Sequence, residues 1–204
     1  MKKTSLLLPI IMLITLVACV SENNEPVTLP DRHRPMDTGW KFLRDSITGA
    51  ETTAFNDSNW RTIDLPHDWS IENIADTDNA DHIGPFTKTS EGGPATGHVK
   101  GGTGWYRKHF TVDNTFKNKD VSLCFDGVYM ISSVWINGKK AGDHYYGYTP
   151  FSYDITGMLI PDADNVIAVE VRNPGKNSRW YSGSGIYRHV WLTVTDPLRV
   201  LDKS

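Results

Sequence analysis

Along much of this chain, apolar side chains recur at every second position in short runs closed by Gly, Pro, Asn or Asp. Trp40 and Phe42 fall on one face of a first run, and Ile63 and Leu65 on one face of a second that Pro66 ends. Further runs cover 105–112, 121–125, 129–136, 139–144, 151–155, 165–171 and 186–194. A period of two with β-branched and aromatic residues predicts strands. Asn137-Gly138 between two runs predicts a two-residue hairpin turn with positive φ at both positions. Within 165–171, Val166, Ala168 and Glu170 alternate with Ile167, Val169 and Val171. The 186–194 run is expected in the core, with Trp191 as one of its buried residues. Residues 50–60 suggest a short turn or helix that Asp57 or Ser58 caps. The stretch 73–104 has no clear period and is expected to be a long loop.

Eight or nine short strands without a long helix predict an all-β fold of two antiparallel sheets packed face to face. Seven Trp, eight Tyr, seven Phe, seventeen Gly and eleven Pro agree with a turn-rich β domain. A formal net charge of −3 argues against a nucleic-acid partner. Cys19 closes the N-terminal apolar segment, so Cys124 lacks an evident partner and is expected as a buried, inert thiol. Asp76, Asp78, Asn79 and Asp81 hint at a calcium loop. Ala80, Asp81 and Thr87 stand where an EF-hand needs an acceptor, glycine and glutamate, which excludes that motif and leaves an irregular ion site open. No cofactor is expected.

Lys2 and Lys3 followed by the apolar 6–17 read as an export signal, too short to span a bilayer comfortably. Leu16-Val17-Ala18-Cys19 resembles the lipobox of bacterial lipoproteins, which implies cleavage before Cys19, lipidation of its thiol and a membrane partner on the periplasmic or cell-surface side of the outer membrane. An ordinary cleaved signal peptide is the alternative. The predicted layout is 1–18 signal, 19–35 tether, 36–196 folded domain and 197–204 the start of a linker.

The segment SRWYSGSGIYRHVWL (178–192), with LPHDWSIE, GTGWYRKHF, WINGKKAG and YTPFSYDIT upstream, resembles the N-terminal sugar-binding domain of glycoside hydrolase family 2, nearest to Bacteroides-type β-galactosidases. The resemblance covers roughly 36–196 and implies a jelly-roll sandwich. Family enzymes hydrolyse β-glycosides with retention, using two Glu about 5 Å apart. Both lie in a (β/α)₈ barrel of about 250 residues, longer than this chain. Glu51, Glu72, Glu91 and Glu170 carry no paired motif, so no catalytic residue is assigned. The resemblance implies that loops of this domain reach a β-galactoside or related glycan beside the parent enzyme's catalytic barrel. Counting from the Gly185-Ile186-Tyr187-Arg188 turn, Asn173 and Arg179 match substrate-contacting positions of relatives. Relatives often carry Asp there, so Arg179 is open to a second role, pairing with a barrel carboxylate. Asp68 is a third candidate contact, with loop bracing through backbone N–H bonds as its other reading. Trp180 reads as a plug. Three readings stay open: a truncated accessory domain of such a hydrolase, a free-standing lipid-anchored carbohydrate-binding module, and a scaffold whose loops meet another protein.

Overall fold

The computed structural model describes residues 32–72, 82–83, 86–175 and 182–199. Among the described residues, twelve strands run in chain order: β1 (His33–Pro35), β2 (Trp40–Leu43), β3 (Arg61–Ile63), β4 (His82–Ile83), β5 (Phe86–Thr87), β6 (Gly102–Thr111), β7 (Asp120–Phe125), β8 (Ile131–Ile136), β9 (Lys139–His144), β10 (Phe151–Asp154), β11 (Asp164–Asn173) and β12 (Val190–Thr195). A four-stranded sheet has the order β1-β12-β7-β10, a six-stranded sheet β3-β2-β6-β11-β8-β9, and β4-β5 form a small hairpin. Every pairing is antiparallel. The helical elements among the described residues are short 3-10 turns, and no described helix is long and apolar enough to cross a membrane.

One apolar core lies between the two large sheets. Leu123, Phe125, Val190 and Leu192 enter it from the smaller sheet; Trp40, Phe42, Tyr106, Ile136, Ile167 and Val169 enter from the larger. Each fully buried aliphatic or aromatic side chain contributes roughly 1.5–3 kcal/mol. The β8–β9 hairpin turns at Asn137 and Gly138, with φ of 51° and 78°. The chain between β2 and β3 folds over the outer face of the six-stranded sheet. Ala50 and Trp60 there pack on Trp105 and Ala168. This second cluster explains why β11 is apolar on both sides.

The structure departs from the expected layout in several places. The end of the expected 19–35 tether is part of the sandwich: His33–Pro35 is an edge strand pairing with β12 at Trp191–Thr193. An edge position tolerates a residue without an N–H. The long 73–104 loop contains a hairpin, a 3-10 turn at Gly93–Thr96 and the first residues of β6. The last strand starts at Val190 rather than Ile186, although Ile186 is fully buried. Its inward set is Val190 and Leu192, so Trp191 falls on the outer face, half-buried, with Nε1 donating to Asp126 Oδ2 at 2.9 Å. Cys124, opposite Trp191, is likewise half-buried and free.

Asp57 caps no helix. Its Oδ2 accepts from Arg107 Nε at 2.8 Å and lies 3.0 Å from His109 Nε2, while His109 Nδ1 lies 2.7 Å from Asp164 Oδ2. Burial works against the His109 charge, but hydrogen bonds to Asp164 and Asp57 and their charges outweigh it and raise its pKa above the ordinary value. Burial pushes Asp57 up, and Arg107 and His109 more than offset that, leaving it below the ordinary value. A raised His pKa stabilises fully below its unfolded value of about 6.5 and loses that contribution as pH rises through the folded value. Asp57 contributes above about 3.8 and loses its share as pH falls through its lower folded value. The urea midpoint should therefore decline as pH rises from about 6.5, and His109→Gln should lack that decline. With His109 40% exposed, the effect is about 1 kcal/mol or less. An equal decline in the variant would assign it to another group.

Candidate functional site

The motif loops meet at one end of the sandwich. Four pieces of chain converge there: the loop after β3, the approach to β6, the end of β11 and the 182–186 segment. Trp69 N donates to Ser184 O at 3.0 Å, and His67 N to Ile186 O at 2.8 Å. Asp68 precedes a 3-10 turn over Trp69–Ile71 and caps it, Oδ1 accepting from Ser70 N at 2.9 Å. The same oxygen accepts from Ser184 N at 2.8 Å. One carboxylate oxygen thus joins two loops 116 positions apart in sequence. A Cβ on Gly183 would collide with the Asp68 carboxylate, so the Gly183 position requires the absence of a side chain.

Asn173 closes β11 with its side chain turned inward, 3% exposed. Nδ2 donates to Ser184 Oγ at 2.9 Å, and Oδ1 accepts from Gly175 N at 3.2 Å. The Ser184 and Ser70 hydroxyls are 2.8 Å apart, and Ser70 Oγ is 2.5 Å from the Lys100 carbonyl oxygen. Each hydroxyl has one proton to give. The Lys100 carbonyl oxygen is also 3.3 Å from Ser184 Oγ, so both hydroxyls gather around it, with the Asn173 amide on Ser184 Oγ. The next carbonyl, Gly101, accepts from Trp69 Nε1 at 2.9 Å and from Arg44 Nε at 3.1 Å. Glu91 completes this brace, bonding Arg44 Nη2 at 2.5 Å and Gly101 N at 2.9 Å.

Behind the rim, His67 Nδ1 lies 2.7 Å from the Tyr106 hydroxyl and Nε2 lies 2.5 Å from Glu72 Oε1, which Arg61 also pairs with. Burial pushes the Tyr106 phenol well above its ordinary pKa, so it keeps its proton. Glu170 on β11 lies 3.7 Å from Arg172. The Glu carboxylates near the rim thus have cationic partners. No group of three or more His, Cys, Asp or Glu that could hold a metal occurs among the described residues.

Of the three candidate contacts, Asp68 and Asn173 are brought together around Ser184, and Arg179 lies outside the described residues, as do Trp180, Tyr181 and Cys19. The Asp68 geometry is that of a brace between loops. The Asn173 amide is engaged inside the fold. Sequence reading missed Ser70, which stands in LPHDWSIE, and Ser184, whose signal was the small-residue run Ser182-Gly183-Ser184-Gly185. Asn173→Ala should lower stability by about 1–3 kcal/mol, because it leaves buried partners unsatisfied. A urea midpoint unchanged from the parent chain would show that the amide is dispensable to the fold.

The fold and rim define a two-sheet antiparallel β-sandwich whose motif loops are locked together at one end. The family model described as glycosyl hydrolases family 2, sugar binding domain, matches residues 34–196, and the chain belongs to this family. A relative named beta-galactosidase BoGH2A, from Bacteroides ovatus, is 44% identical over 185 residues, covering 90% of this chain and 20% of the relative. A putative beta-glucuronidase from Formosa agariphila is 37% identical, covering 79% of this chain and 14% of the relative. A solved structure of a family 2 member from Bacteroides cellulosilyticus matches with a TM-score of 0.74 and 47% identity, covering 81% of this chain and 21% of that one. The chain spans about a fifth or less of the length of these relatives.

Proposed function

We propose that this chain is the non-catalytic N-terminal domain of a β-galactosidase-like family 2 glycoside hydrolase, lending its rim to a sugar pocket completed by a barrel on another part of the parent polypeptide. The observation that carries this reading is coverage: 90% of the chain aligns with only 20% of a β-galactosidase. The rim chemistry supports it. Asp68, Asn173, Ser70 and Ser184 hold four chain segments in fixed register. Their polar groups are engaged with one another, which suits a scaffold that fixes loop shape. In sequence, Arg179 falls between Asn173 and Ser184. Arg179 is the residue proposed to reach the glycan or a barrel carboxylate.

The test is turnover of a chromogenic β-galactoside. The 204-residue chain alone should give none, and a polypeptide continuing into a barrel should give turnover that Arg179→Ala reduces. Hydrolysis by the chain alone would falsify the reading. The proposed address is an exported lipoprotein anchored through Cys19. Metabolic labelling with palmitate in a bacterial host should mark the chain, and Cys19→Ser should lose the label; an equally labelled variant would remove the anchor.

A further inference from the structure

Of the six large apolar side chains exposed among the described residues, four stand at the rim end: Ile71, 48% exposed, and Tyr145, Tyr146 and Tyr148, at 67%, 47% and 47%. Hydrogen bonds fix their order across that end. Trp69 N donates to Ser184 O, which sets the loop carrying Ile71 against one side of the 182–186 segment. On its other side, Gly185 exchanges two hydrogen bonds with Tyr129. The Tyr129 ring packs on Gly147, where a Cβ would lie 2.3 Å from it, and meets the Tyr148 ring edge to face at 5.5 Å. Tyr187 Oη donates to Gly147 O at 2.7 Å. Tyr146 and Tyr148 meet edge to face at 5.7 Å. The 145–148 loop is thus seated in one shape while its rings stay open to water. Next in chain to Tyr187, Arg188 is exposed, its guanidinium 5.5 Å from the Tyr187 ring centroid, with no carboxylate within ion-pair distance among the described residues.

Exposed aromatic rings gathered at one end mark an interaction face. Tyr and Arg are the side chains that carry much of the energy at protein interfaces, since a rigid ring or a planar guanidinium offers large contact at little entropic cost. We propose that this face docks the part of the parent polypeptide lying outside residues 1–204, which meets the tyrosines and Ile71 with apolar side chains and Arg188 with a carboxylate. The inference rests on the proposed function and adds to it the surface that holds the two parts together. The Asp68–Asn173–Ser184 network sets the shape of the rim, and the tyrosines and Arg188 grip the partner.

Two observations choose this occupant over a second copy of the chain. The first is length: 90% of the chain aligns with only 20% of the Bacteroides ovatus relative, so most of such a polypeptide lies elsewhere. The second is area. A tyrosine buries about 150–250 Å² when wholly covered. These three are roughly half to two-thirds exposed, so they offer at most about half of the about 800 Å² that each partner of a stable free complex contributes. Parts of one polypeptide need less, because the covalent link supplies a high effective concentration. Interfaces of about 600–1,500 Å² in total are usual within a chain.

The test compares the 204-residue chain with a hybrid of the Bacteroides ovatus relative in which residues 34–196 take the place of the corresponding segment. Hydroxyl-radical footprinting should oxidise Tyr145 and Tyr146 readily in the chain alone. Both should lose most of that reactivity in the hybrid, because rings at an interface core are closed to water. Arg188→Gln should restore their oxidation in the hybrid. Tyr145→Ala combined with Tyr146→Ala should expose Tyr148 and Ile71 in the same way. All of these side chains are exposed in the chain, so its urea midpoint should not move, which separates lost docking from unfolding. Tyrosines as reactive in the hybrid as in the chain overturn the proposal; if that hybrid still turns over a chromogenic β-galactoside, the proposed function stands without this face. Protection unchanged in both variants overturns it as well, and so does a hybrid that fails to assemble as one soluble protein. Light scattering that shows the chain as a dimer, dissociated by the double tyrosine variant, would give the face to a second copy instead. Hydrolysis by the chain alone overturns the non-catalytic reading and leaves the footprint unaffected.

Discussion

Arg107→Met will destabilise the domain by about 3–5 kcal/mol, a large share of the about 5–15 kcal/mol that holds a typical domain folded. Arg107 is 0% exposed on the outer face of β6, under the chain between β2 and β3. Its Nε donates to Asp57 at 2.8 Å, and Nη1 donates to the carbonyls of Ala50 at 2.5 Å and Thr52 at 2.9 Å. The guanidinium also lies 5.5 Å from the Phe55 ring centroid. Methionine fills much of the space and supplies no donor, leaving a buried carboxylate and two carbonyls short of partners. Arg107→Lys should recover only part of the loss, because one ammonium cannot reproduce a planar fork with several acceptors. Pairing Arg107→Met with Asp57→Leu should recover more than Lys does, since no unpaired charge then stays buried. Urea unfolding of the three proteins gives the comparison. A single-variant loss under about 1 kcal/mol would show that water reaches the guanidinium site and that the covering segment is not clamped there.

Arg107 also shows where sequence reading stops. On a strand with a two-residue period, a charge on the polar face reads as solvated. Only the tertiary path of residues 50–60 over that face buries it. β11 was legible as an alternating strand, but its burial on both faces was not, because Ala168 is covered only once residues 50–60 fold over the outer face. The β8–β9 hairpin was legible because Asn137-Gly138 sets its turn locally. The start of β6 was not, because Gly101, Gly102 and Gly104 look like loop residues. A Cβ on Gly104 would lie 2.7 Å from the Trp69 ring, so this glycine answers to a side chain 35 positions away. In the site, HDW and SGSG were visible as motifs. Their meeting was not, because a bond from Asp68 to Ser184 depends on the whole sandwich bringing the two loops to one end.

Gly185→Ala should be nearly as damaging, at about 2–5 kcal/mol from overpacking and backbone strain together. Gly185 has φ of 125°, which a Cβ disfavours. The added methyl would overlap the Tyr106 hydroxyl, lie 2.7 Å from the His67 carbonyl oxygen and 3.3 Å from the Trp69 ring. Escape by moving the backbone is blocked, because Gly185 exchanges two hydrogen bonds with Tyr129: N to O at 3.0 Å and O from N at 2.9 Å. The neighbouring Ile186 is fully buried in the core, which fixes the chain on the other side. Escape by moving Tyr106 would break its 2.7 Å contact with His67 Nδ1 and disturb packing against Phe42, 4.7 Å away between centroids. The matched control is Gly157→Ala. Gly157 is exposed and has nothing within 4 Å of a built Cβ, so its urea midpoint should hold or rise slightly. A Gly185 variant as stable as that control would mean the rim can reshape around a methyl group. A deformable rim could not impose a fixed geometry on a sugar pocket, so the same measurement bears on the scaffold role proposed for these loops.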